Sequence, residues 1–165
     1  MTVRPILRWP QPVLRRAADP VAEIDDEVRQ IWDDMVETMY AMPGVGLAAP
    51  QIGIGRQIAV VDASDTHDVA LRLANPEVIE ASEDVSVFPE ASPCLPGVNA
   101  EITRPERVTV GFLNAEGVRV TQTFTGLWAT SVQHQIDHLN GRMYFDNLSR
   151  VKREMLLKRA KKVAS

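Results

Sequence analysis

Apolar residues recur every three to four positions from Ile24 onward: Ile24, Val28, Ile31, Met35 and Met39 share one face. That spacing predicts an amphipathic helix. Asp25, Asp26 and Glu27 sit where the N-terminal helix dipole favours acidic groups, and Pro43-Gly44 stops the helix. Upstream, Pro5, Pro10, Pro12 and Pro20 predict an extended segment wrapped over the body. Downstream the pattern turns β-like, with candidate strands over 57–61, 69–74, 85–88, 107–112 and 118–125. Asn114-Ala115-Glu116-Gly117 is a hairpin turn between the last two. A second helix is expected over 127–139, ending at Asn140-Gly141. A third starts near Ser149 and runs to the end, with Leu148, Val151, Met155 and Leu156 as its apolar stripe. These elements predict an α+β fold, small antiparallel sheets around a central helix, in one domain spanning 1–165.

Composition narrows the function classes. The chain is 45% hydrophobic and 24% charged, ordinary for a globular protein, and its net charge of −4 argues against a general nucleic-acid binder. A single cysteine, Cys94, excludes an internal disulfide framework and suits a reducing compartment. Arg4, Pro5, Arg8 and Pro10 interrupt the start, so neither a signal peptide nor a membrane span is expected, and the expected location is cytoplasmic. The small residues from Gly44 to Gly53 can bring backbone close to a ligand.

His134 and His138 stand four apart, so on a helix both imidazoles project from one face. This is the spacing of HExxH hydrolases, where two histidines bind metal and a glutamate moves protons. Here the run is His134-Gln135-Ile136-Asp137-His138. Gln135 cannot take a proton from a metal-bound water, and Asp137 projects from another side of the helix. On spacing alone, two histidines that merely pack or cap remain the alternative.

The run from Gln133 to Gly141 resembles a peptide deformylase signature, QHExDHLxG, and 44–51 resembles that family's GxGLAAPQ residue for residue. Glu90-Ala91-Ser92-Pro93-Cys94-Leu95-Pro96-Gly97 stands in the place of the family's EGCLSxPG. Arg104-Pro105-Glu106-Arg107-Val108 and the closing basic helix are similar to the family as well, so the resemblance covers nearly the whole chain. It implies a peptide deformylase fold and removal of formyl from N-formylmethionyl nascent peptides. It also implies Fe2+ (or Zn2+ or Ni2+) held by one cysteine and two histidines, with a glutamate base. It further implies that a glutamine and the backbone N–H after the ligand cysteine stabilise the oxyanion.

Transferred residue by residue, the resemblance keeps Gln51 as an amide donor and His134 and His138 as ligands. The ligand cysteine maps to Ser92, whose hydroxyl stays protonated near neutral pH and is a weaker, harder donor than thiolate. The required N–H maps to Pro93, which has none, and the base maps to Gln135. Cys94 could replace Ser92 only if the segment slid by two residues, about 6.5 Å of extended chain. Gly44, Val45, Gly46, Leu47, Leu95 and Val132, with His134, are the expected substrate-pocket residues.

The expected function is a deformylase-like protein impaired in hydrolysis, with no metal or a weakly bound divalent one, that binds N-terminal (formyl)methionine peptides or the ribosome. The alternative is a functional metal-dependent deformylase. Seven basic residues on the last helix suit ribosomal RNA phosphates, against the simpler alternative of a solvated outer face. Trp9, Trp32 and Trp128 are expected to pack, and His67 lies in a polar loop with no ligand role.

Overall fold

The computed structural model describes residues 2–164. Helix α1 (Asp26–Ala41) begins where the Asp25 carboxylate accepts from the Val28 N–H at 2.9 Å. Its apolar face buries Val28, Ile31, Met35 and Met39, as the periodicity predicts, together with Trp32, whereas Ile24 precedes the helix and is half-buried. The Trp32 indole N–H is shared between the carbonyls of Ala59 and Leu73, at 3.2 and 3.3 Å, so the ring's polar edge stays satisfied in the core.

The main sheet runs in the order β1 (Gly46–Ala48), β2 (Ile58–Val61), β3 (Leu71–Ala81), β6 (Arg107–Leu113), β7 (Arg119–Thr125), every pair antiparallel. Strands β4 (Val85–Glu90) and β5 (Ala100–Pro105) form a separate antiparallel pair. On β2, Ile58 and Val60 pack on the α1 side, while Ala59 and Val61 pack toward helix α2 (Gly126–Leu139). A strand covered on both faces reads as a continuous apolar run instead of an alternating one. The architecture is α+β, with antiparallel sheets and α2 packed between them.

Helix α2 follows β7 without a loop and is closed after its Asn140 cap by Gly141, which takes φ +76°. A Cβ there would lie 2.8–2.9 Å from the backbone of Arg15 and Arg16. Only glycine lets the N-terminal segment cross so closely. That segment is largely extended, broken by a 3-10 turn at Pro12–Arg15. It is pinned by backbone bonds from Leu7 to Gln51, Trp9 to Cys94 and Ala18 to Leu139.

Helix α3 (Arg150–Ala164) corrects the expected stripe. Val151 and Met155 are exposed, and the buried residues are Leu156 and Ala160, packed with Leu14, Leu95, Tyr144 and Phe145. The narrow buried strip follows from the small apolar area α3 meets at its neighbours. No helix among the described residues is long and apolar enough to cross a membrane.

Candidate functional site

One turn of α2 separates His134 from His138, and their Nε2 atoms converge to 3.2 Å. On the far side of the ring, His134 Nδ1 lies 2.8 Å from Glu90 Oε1 at the end of β4. With Glu90 ionised, Nδ1 carries the proton and donates to it, which fixes the ring and turns the Nε2 lone pair toward His138. Glu90 also accepts from Arg104 Nε at 2.6 Å and from Arg104 Nη2 at 3.0 Å. Arg104 Nη1 donates to Asp137 at 2.9 Å, and Asn147 reaches the same carboxylate oxygen at 3.3 Å. Asp137 thus faces away from the imidazoles and ties α2 to β5.

Burial alone would push the Glu90 carboxyl up, but hydrogen bonds from His134 and Arg104, and the electrostatic attraction they exert, hold it below its ordinary value. The Arg104 guanidinium is held fully charged by Glu90 and Asp137 against its own burial. Complete burial, and then the electrostatic influence of the neighbouring His134 and Arg104, push His138 well below its usual pKa, so its ring is neutral near neutral pH. His138 Nδ1 has no hydrogen-bond partner among the described residues.

The loop from β4 to β5 carries Ser92, Pro93 and Cys94 past these histidines. A cavity of about 370 Å³ is lined by Ser92, Pro93, Gln51, His134 and Gln135, among others. Gln51 is oriented by the Ala48 N–H, which donates to Oε1 at 2.9 Å. Its Nε2 therefore points to the β4–β5 loop, donating to Ser92 Oγ at 3.4 Å and to Cys94 Sγ at 3.5 Å. Ser92 Oγ further accepts from the Cys94 N–H at 3.2 Å.

Cys94 does not line this cavity. It turns into the apolar cluster of Leu14, Ile102, Tyr144 and Phe145, and borders a different groove beside Trp9 and Leu157. Burial pushes its thiol up, the Gln51 and Ser92 contacts and the Arg8 charge opposing only in part.

Gln135 is buried, and its Oε1 has no partner among the described residues. Its amide reaches this position because residue 46 is glycine: a Cβ there would lie 2.4 Å from Gln135 Nε2 and 2.6 Å from Ser131 Oγ. A carboxamide at this point can donate and accept hydrogen bonds but takes up no proton near neutral pH. Pro93 lines the same cavity and offers no N–H.

Of the pocket residues expected from sequence, Gly44, Val45 and Gly46 line the cavity with His134. Leu47 lies in the α1 core, Val132 packs under the main sheet, and Leu95 borders the second groove beside Cys94. Sequence reasoning did not single out Leu127, Thr130 and Ser131, which line the cavity too. Their spacing of seven, four and three residues before His134 places them on its helical face, a signal that was available. It also gave no role to Glu90, Arg104 and Asp137. Trp9 packs edge-on against Phe145 and Trp128 stacks on Phe124. His67 is exposed in a polar turn.

The converging Nε2 atoms and the carboxylate behind His134 suit one side of a divalent metal. The third donor is a neutral hydroxyl already engaged with Gln51 and the Cys94 N–H, so the set does not fit the thiolate-based centre that the resemblance implies. Among the described residues, no group of three or more His, Cys, Asp or Glu is placed to hold a metal ion.

The family model described as polypeptide deformylase matches residues 3–154. A peptide deformylase of Methylocella silvestris is 44% identical over 169 residues, covering 99% of this chain and 86% of the relative. One from Phenylobacterium zucineum is 43% identical, covering 99% and 98%. Among solved structures, peptide deformylase of Ehrlichia chaffeensis superposes with TM-score 0.92 at 30% identity, covering 99% and 97%. That of Legionella pneumophila gives 0.90 at 36%, covering 98% and 95%. With nearly full-length matches in sequence and in fold, and with the histidine helix and glycine-rich segment in the order the motifs require, the chain belongs to the polypeptide deformylase family.

Proposed function

We propose that this chain is a deformylase-fold protein with strongly impaired hydrolysis, whose cavity binds peptide N-termini without efficiently cleaving them. The observation that carries this reading is the convergence of Gln135, Pro93 and Ser92 on one cavity. Loss of one oxyanion donor slows such reactions by roughly 100- to 1,000-fold, and loss of a general base by roughly 100- to 10,000-fold. Groups that act as a unit do not contribute additively, so the factors are not multiplied.

What supports ligand binding is the remainder of the site. Gln51 keeps its oriented amide, and Gly44 to Gly46 keep close backbone access. Equilibrium titration with formylated and free methionyl peptides tests it. Binding without turnover is the expected result, and no binding of either form would sink the reading.

A second reading, retained metal-dependent hydrolysis, draws support from the Nε2 convergence at 3.2 Å and its Glu90 anchor. Stoichiometric metal in protein purified without chelators would favour it. Helix α3 adds a ribosome-docking role to the proposal, supported by exposed Lys152, Lys158, Arg159 and Lys161. Co-sedimentation with ribosomes should then weaken with salt and be lost when α3 is trimmed.

A further inference from the structure

A groove of about 900 Å³ opens between the N-terminal segment, the loop from β4 to β5 and the last two turns of α3. Among the described residues it shares no lining residue with the cavity beside the histidines. Its reachable walls are apolar. Pro10 and Pro96 are exposed, Trp9 and Leu157 are half-buried, and Val163 stays 59% exposed on the last turn of α3. These walls are also fixed in place. The Trp9 N–H donates to the Cys94 carbonyl at 2.9 Å, and Gly97, at φ +86°, admits Val163 so closely that a Cβ would lie 2.5 Å from its Cγ1. A preformed, concave, mostly apolar site with a few charged groups is the usual form of a small-molecule site.

Charge selects the occupant. The chain carries a net charge of −4, yet among the described residues no Asp or Glu lines this groove, and its two charged residues are Arg8 and Lys161. Both are exposed, and among the described residues neither forms an ion pair or a side-chain hydrogen bond. Arg15 adds a third positive charge, its guanidinium carbon 5.3 Å from the centre of the Trp9 ring. Lys161, in the last turn of α3, also offsets the partial negative charge of the helix end. Charges of one sign above low-dielectric walls focus their field and draw in counter-ions. Leu157 and Ala164 lie two turns apart on α3, about 10 Å along its axis, enough for an extended acyl chain of medium length.

We propose that this groove is a binding site for a free fatty acid of medium chain length. Its hydrocarbon chain lies against Trp9, Pro96, Leu157 and Val163, and its carboxylate is met by the charges of Arg8 and Lys161. A flat bilayer fits less well, because the floor of the groove is recessed, with Leu95 8% and Ala160 5% exposed. The site is independent of the peptide-end reading above.

Calorimetric titration of the full chain with hexanoate, octanoate, decanoate and decanol, each below its micellar concentration, tests this. Every two methylenes removed should weaken binding roughly tenfold, as burial of CH2 groups requires. Arg8→Gln combined with Lys161→Gln, both at exposed positions, should weaken decanoate roughly two- to tenfold and leave decanol unchanged. Backbone amide resonances of the isotopically labelled chain should shift chiefly around Trp9, Leu95 and Leu157. Decanoate that fails to bind, or that binds the double variant as tightly, would overturn the proposal. So would shifts concentrated at 44–46 and 130–135, which would place the ligand in the other cavity. Pelleting with anionic vesicles in place of decanoate uptake would put a membrane over the groove and overturn it as well.

Discussion

Glu90 holds the site together more directly than either histidine. Its carboxylate takes two bonds from Arg104 and one from His134, all of it shielded from water. Glu90→Gln would leave the Arg104 charge with Asp137 as its one remaining ionic partner. Removing one partner of a buried ion pair costs about 3–5 kcal/mol, and urea denaturation should show a loss near the lower figure because Asp137 remains. Gly46 sets the other limit. Gly46→Ala drives a methyl group into the Gln135 amide and Ser131 hydroxyl, an overpacking of about 1–3 kcal/mol. Peptide affinity should fall together with the melting temperature, and a variant of unchanged affinity would show that Gln135 can move aside at no cost.

At the level of elements, α1 depends on the capping residue at its N-terminus. Asp25→Ala removes its N-terminal cap and should lower stability by about 1 kcal/mol, readable as a shifted denaturation midpoint with unchanged slope. This helix and α2 were legible in the sequence because their apolar residues keep the helical period and their ends carry Asp25 and Gly141. The sequence predicts a strand over 69–74, stopping before Asn75-Pro76. In the structure the strand passes through with a shift in register, and Asn75 takes φ +49° while its side chain bonds the backbone of Val21. Strand β5 was missed because one of its inward positions is Arg104, buried through its ion pairs, so the alternation was hidden. The short β1 was concealed inside the glycine-rich segment. At the site, the histidine pair and the replaced positions could be read directly. The Glu90–Arg104–Asp137 network could not, because it joins three elements whose mutual placement only the fold supplies.

For the molecule as a whole, three buried carboxylates and the buried neutral His138 set its response to acid. Burial would push Asp34, Asp62 and Glu90 up. Hydrogen bonds from Arg4 and Gln30, from Ser64 and Tyr40, and from His134 and Arg104 respectively hold all three below their ordinary values. A folded-state pKa below the unfolded one stabilises the protein above the unfolded value and is lost as pH falls through the folded one. The carboxylates should therefore contribute a decline below about pH 4, and His138, kept neutral in the fold, a loss that sets in earlier, as pH falls through the ordinary histidine range of about 6.5. Urea midpoints across that range check the sign, and stability rising on acidification would contradict it. The central claim concerns chemistry that three replacements have removed from a preserved scaffold. Its most direct test is deformylation of a formyl-methionyl peptide by the protein loaded with Fe2+, beside a Ser92→Cys, Pro93→Leu, Gln135→Glu variant. We expect turnover at background for the unmodified chain and a clear gain in the variant. Turnover by the unmodified chain at the rate of an ordinary deformylase would contradict the claim.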